Sequence, residues 1–179
     1  MYLKPPFIGY SLWLLSDDTA LNDATEASFN TINNYKVPGH VTLAPLLGYG
    51  GDEEPLLQKT RELAESLNPF MVKLGQIEQS DGYVKQVFSA AKCEDPLFGL
   101  RGMAKRSFGN LCSDGNSYAP HWSFLYGEHD NKTRQRAKTL VLGKATLPRQ
   151  SWITELALVN AGGMPDEWKI VESFPLKTS

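Results

Sequence analysis

One order of secondary-structure signals runs twice along these 179 residues, and that doubling constrains the fold more than any other feature. Short, bounded apolar segments at 8–15, 40–46 and 70–78 read as strands, and so do 84–90, 121–126 and 152–159. Helical stretches fill the gaps, at 19–33 and 52–67 in the first set and at 96–108 and 130–142 in the second. Asp52 with Pro55, Asp95-Pro96 and Asp130 are the start signals of three of these helices. Spacing supports the match. His40 lies 30 residues before Phe70 and His121 lies 31 before Trp152, while Gly82 and Gly163 each fall 42 residues past a histidine. Asp81-Gly82 and Ala161-Gly162-Gly163 read as hairpin turns, the second leading into a last strand at 168–174. The expectation is an α+β protein forming a single two-lobed domain over 1–179. Its pseudo-repeat halves lie near 1–80 and 83–179, with a cleft on the axis relating them.

Two of the three histidines open the same pattern. His40-Val41-Thr42-Leu43 and His121-Trp122-Ser123-Phe124 are both histidine, any residue, hydroxyl, apolar. Chance would put that pattern on two of three histidines about 1% of the time. Along a strand, residues i and i+2 share a face. His40 therefore projects with Thr42, and His121 with Ser123, while the residues between turn back into the core. An imidazole titrates near neutrality and serves as acid or base, and a hydroxyl beside it donates to developing negative charge. Two such strands suit in-line displacement at phosphorus, which needs a base and an acid on opposite walls. A strained cyclic phosphodiester asks for no metal activation. His129, beside Asp130 at a helix start, lacks the pattern and reads as structural. A zinc site from His121, Glu128 and His129 has no ligand spacing to support it.

Composition narrows the field further. The net charge of −2 argues against a duplex nucleic-acid binder. Nine basic residues against three acidic ones between Arg101 and Arg149 form a local surplus. Solvated helix faces are its default explanation, and a mild pull on a small anionic substrate is the sharper one. The first apolar run, 7–15, is too short for a membrane span and lacks a basic leader, so a cytoplasmic, monomeric protein is expected. Cys93 and Cys112 set no disulfide or metal framework.

The residues quoted resemble the two-histidine phosphoesterase superfamily, and within it the cyclic nucleotide phosphodiesterases of plants and yeast. Tyr10-Ser11-Leu12-Trp13 looks like that group's first strand. Val37-Pro38-Gly39-His40-Val41-Thr42-Leu43 is similar to its first motif, and the segment from Tyr118 through Tyr126 to its second. Gly39 is a departure, because the family has proline directly before the histidine. The resemblance implies a bilobal fold of two antiparallel sheets facing a central cleft, with helices outside. It implies hydrolysis of ribose 2′,3′-cyclic phosphates to 2′-phosphates without a cofactor, with ADP-ribose 1″,2″-cyclic phosphate as a further substrate. It makes His121 the base and His40 the acid, Thr42 and Ser123 phosphate-binding residues, and Tyr126 a substrate contact; Trp13 shares a strand face with Ser11 and either stacks on a nucleobase or packs in the core. Two alternatives stand beside it: an enzyme of the same superfamily acting on RNA 2′,3′-cyclic ends or forming 2′–5′ links, and a nucleotide-binding module that has lost catalysis.

Overall fold

A computed structural model describes residues 5–33, 35–92, 96–112, 118–143 and 147–177. In chain order its elements are β1 (Gly9–Ser16), α1 (Thr19–Ile32), β2 (Val41–Leu47), α2 (Glu54–Glu65), β3 (Phe70–Gln79), β4 (Val87–Lys92), α3 (Pro96–Phe108), β5 (His121–Leu125), α4 (Asn131–Gly143), β6 (Gln150–Asn160) and β7 (Lys169–Pro175). Local chemistry sets the helix starts. The Asp18 carboxylate accepts from the Leu21 amide at 2.9 Å and the Asp130 carboxylate from the Thr133 amide at 2.7 Å, each satisfying an orphan first-turn donor. Pro55 stands in the first turn of α2, where a missing N–H costs nothing. Cys93 and Asp95 lie outside the described residues, and Cys112 is buried.

Every named strand pairing is antiparallel, and the fold is α+β with the helices outside. The strand order is β1-β2-β5-β4-β3-β6-β7, and β1 also pairs with β6. Two stretches result, β2-β1-β6-β7 and β5-β4-β3-β6, which share β6 and meet again where β2 touches β5. The halves are interlocked by this arrangement. The third strand of the second half, β6, lies beside β1, while the third strand of the first half, β3, lies beside β4. Helices α2 and α3 cover the first stretch, and α1 and α4 cover the second.

A matched irregularity sits in both motif strands. Leu12 faces Ala44 and Trp13 faces Thr42, so Leu43 is a bulge in β2. Val87 faces Leu125 and Phe88 faces Ser123, so Phe124 is a bulge in β5. Both bulged residues are the apolar fourth position of the motif, and both are fully buried in the main core. A bulge bends its strand and re-aims the neighbouring side chains, a common device beside functional groups. A second, smaller core joins Trp13, Phe29, Val37, Tyr83, Tyr126, Ala157 and Val159.

Candidate active site

The two motif strands touch at one rung, where Val41 faces Trp122. Antiparallel register then places His40 opposite Ser123 and Thr42 opposite His121. These four side chains share one face, because Val41 and Trp122 turn the other way and are fully buried. One cleft of about 170 Å³ is lined by all six residues singled out from the sequence, His40, Thr42, His121, Ser123, Tyr126 and Trp13. Phe7, Tyr10, Val84 and Trp168 also line it. Tyr10 belongs to the first-strand segment that carries Trp13, and the other three come from segments that no motif in the sequence pointed to.

Gly39 explains the family departure. A Cβ there would lie 2.8 Å from Trp122 Cε2 and 2.9 Å from Asn22 Oδ1, and closer still to Trp122 Cζ2. The Trp122 indole cannot retreat, since its Nε1–H donates to Thr25 Oγ1 at 2.8 Å and its ring is buried. The residue before one histidine is thus kept small by the residue after the other.

Each histidine is oriented by a backbone carbonyl two residues upstream. His40 Nδ1–H donates to the Pro38 carbonyl at 2.8 Å, and His121 Nδ1–H to the Ala119 carbonyl at 2.8 Å. This leaves Nε2 of His40 as the acceptor, with the Tyr126 hydroxyl donating to it at 3.4 Å. Each ring also has an aromatic neighbour from the adjoining strand. Trp13 lies parallel to His40 at 3.5 Å between centroids, and Phe88 meets His121 edge-on at 5.8 Å. These two aromatics face Thr42 and Ser123 respectively, so they occupy equivalent places in the two halves. Trp13 is only 2% exposed and its ring is stacked on the imidazole, which gives it the role of a histidine support. Trp13 lines the cleft as well as packing on His40.

Burial governs the electrostatics. It pushes the His40 pKa down to about 3, against the Pro38 carbonyl and with help from His121. Burial also lowers that of His121, opposed by the carbonyls of Ala119 and Val84, while Lys85 repels the protonated ring. The Tyr126 hydroxyl is pushed up by burial and stays protonated, able to donate. Ser123 Oγ–H donates to the Val84 carbonyl at 2.7 Å, so that carbonyl serves both Ser123 and His121. The Thr42 hydroxyl has no hydrogen-bond partner among the described residues, whereas its backbone carbonyl accepts from Tyr118 Oη at 3.1 Å.

Surrounding residues hold this geometry in place. Arg101 is buried, donates to the Leu43 carbonyl at 2.9 Å and stacks its guanidinium over Tyr118. His129 Nε2–H donates to the Tyr126 carbonyl at 2.9 Å, the structural part read for it from the sequence. Among the described residues the basic surplus does not converge on the cleft. Arg101 is spent on β2, Arg134 on Ser80 and Asp81, and Lys138 and Arg149 line a groove beneath α4. No lysine or arginine lines the cleft among the described residues. Among these residues no group of three or more His, Cys, Asp or Glu converges as a metal site, and no helix is long and apolar enough to cross a membrane.

Comparison with known proteins adds a family and a fold. The family model of the 2′-5′ RNA ligase superfamily matches residues 16–164. Among solved structures, TT0787 of Thermus thermophilus is 19% identical with a TM-score of 0.56, over 93% of this chain and 97% of that one. A structure of E. coli LigT complexed with 3′-AMP is 14% identical with a TM-score of 0.56, over 97% of this chain and 100% of that one. No curated protein matches at the level of sequence.

Proposed function

The chain belongs to the 2′-5′ RNA ligase superfamily of two-histidine phosphoesterases, and on that premise we propose that it hydrolyses ribose 2′,3′-cyclic phosphates to 2′-phosphates. One observation carries the reading. The Val41–Trp122 rung sets both histidines and both motif hydroxyls on a single face of one cleft. A phosphate seated there meets an imidazole on either side, the requirement for in-line attack and departure.

The roles follow from what each group already bonds. His40 keeps its proton on Nδ1 and leaves Nε2 as an acceptor, held by the Tyr126 hydroxyl until substrate binds, so it is the base that takes the proton of the attacking water. His121 is less buried and has two carbonyls near its ring to accept from the protonated form. It is the acid that protonates the departing ribose oxygen. This order reverses the one implied by the resemblance. Thr42 is the hydroxyl free to donate to a non-bridging oxygen. Ser123 does the same only after its proton leaves Val84, and Tyr126 donates from beside His40. Neutral donors of this kind stabilise charge that builds in the transition state.

Incubation with nucleoside 2′,3′-cyclic phosphates and ADP-ribose 1″,2″-cyclic phosphate, followed by phosphorus NMR, tests the reading. The cyclic signal should give way to that of a phosphomonoester, and for the nucleosides to the 2′ isomer. No turnover on any member of the panel would refute it. Base and acid separate with a substrate whose leaving oxygen is replaced by sulfur, which departs without protonation. The His121→Ala loss should be largely rescued by that substrate and the His40→Ala loss should not. Rescue of His40→Ala instead restores the opposite order.

A further inference from the structure

A groove of about 710 Å³ runs beneath α4 and shares no residue with the two-histidine cleft. Alternation along β5 sets the two apart. Ser123 lines the cleft, and Phe124, the bulged residue after it, lines the groove. A bulge in β3 borders the same space. Leu74 faces Ala91 and Ile77 faces Ser89, so Gly75 and Gln76 together stand opposite Ala90, and the strand bends there. Helix α4 packs mainly on α1, and Leu74 and Ile77 of the bent strand are left half-buried.

The lining combines an apolar surface with unmatched positive charge. Leu21 and Phe124 are fully buried at its base, Pro148 is half-buried, and Leu142, near the end of α4, is 55% exposed. Lys92, Lys138 and Arg149 line the same space. None of the three side chains has an ion pair or a hydrogen bond among the described residues, and no acidic residue lines the groove among them. Like charges around one apolar hollow repel, and the half-buried Lys138 ammonium gains from an anion beside it. Apart from these cations the polar side chains of the lining are Gln76 and Ser89, and Ser89 Oγ–H already donates to the Gly75 carbonyl at 2.9 Å. A sugar or a nucleobase would leave most of its donors and acceptors unmet there, whereas an aliphatic body has none to satisfy. The volume falls within the roughly 300–1,000 Å³ of sites that take a small ligand.

We propose that the groove beneath α4 is a second binding site, for an amphiphilic small-molecule anion with a carboxylate or phosphate head on an aliphatic chain. The head meets Lys138 and Arg149, and Lys92 adds to the positive field around it. The chain lies along Leu74, Ile77 and Leu142 and ends against Phe124. The site stands independently of the reaction assigned to the cleft.

Titration calorimetry of the full chain with decanoate, decyl phosphate and decanol tests it, each ligand kept below the concentration at which it aggregates. At least one of the two anions should bind one-to-one, and the tighter of the two identifies the head. Decanol, which keeps the chain and lacks the charge, should bind at least about tenfold more weakly. Removing two methylenes, as in octanoate or octyl phosphate, should weaken binding of the anion at least about threefold. The pair Lys138→Gln with Arg149→Gln should weaken it at least about fivefold and remove most of its salt dependence. Leu142→Glu, at a position already open to water, should do the same by setting a carboxylate beside the chain and head. No binding of either anion overturns the site, and so does decanol binding as tightly as the anions. Affinity unchanged in both variants places the ligand elsewhere and overturns it as well. Sedimentation velocity without ligand covers the remaining occupant: self-association abolished by Leu142→Glu would make the groove an interface between two copies of the chain and overturn the small-molecule site.

Discussion

Substituting Gly39 by alanine tests whether the two halves of the site are one packed unit. The backbone at Gly39 is outside the left-handed region, so the cost of a methyl group there is steric and not conformational. That methyl group would press on the Trp122 ring, which is buried and tied to Thr25, and on Asn22 Oδ1. Overpacking of this kind costs about 1–3 kcal/mol. Loss of the Trp122–Thr25 bond adds about 1 kcal/mol, and the reduced freedom of the unfolded chain returns about 0.5 kcal/mol. A net destabilisation of about 1.5–3.5 kcal/mol is expected in urea unfolding. Activity should suffer more than stability, because Gly39 and Trp122 adjoin His40 and His121. A displacement near 1 Å at either ring lowers kcat/KM by about 10²-fold. Trp122→Phe shortens the ring that the methyl group strikes, so Gly39→Ala in that background should cost less, with a coupling of at least about 0.5 kcal/mol. Wild-type stability and turnover in Gly39→Ala, or a strictly additive cycle, would show the contact to be inconsequential.

Three further outcomes are expected of the site. His40 has an ordinary pKa of 6.5 and a folded one of about 3, so the unfolded chain binds the extra proton between those values. Its contribution is complete above about pH 6.5 and is lost as pH falls toward 3, at up to about 1.4 kcal/mol per pH unit. Urea titrations should show a slope shallower by up to that amount in His40→Gln, and identical slopes would contradict the burial argument. Thr42→Ala should lower kcat by about 10²-fold with little change in unfolding midpoint, while Ser123→Ala should lower both, because it strips a donor from Val84. A normal midpoint for Ser123→Ala would remove its structural share. Excess chelator should leave cyclic-phosphate hydrolysis unchanged; if added zinc or magnesium restored a lost rate, a metal-activated water would replace the two-histidine mechanism.

Much of the fold was legible in local chemistry. Short, bounded apolar runs marked the strands, Asp130 caps the helix it precedes, and the order of elements was read from spacing. The motif also announced which side chains share a strand face, because that depends only on the alternation of a pleat. What remained hidden was how segments distant in the chain pair and pack. The exchange of β3 and β6 between halves, and the single rung that aligns the motifs, are long-range pairings with no local signal. The same holds for Trp13 on His40, for Trp122 against Gly39, and for the surplus of basic residues, which closes on helix faces and backbone carbonyls away from the cleft. Residue type and spacing therefore determined the chemistry available to this protein. Register across strands, which the tertiary fold alone decides, determined which groups meet and which are shielded from water.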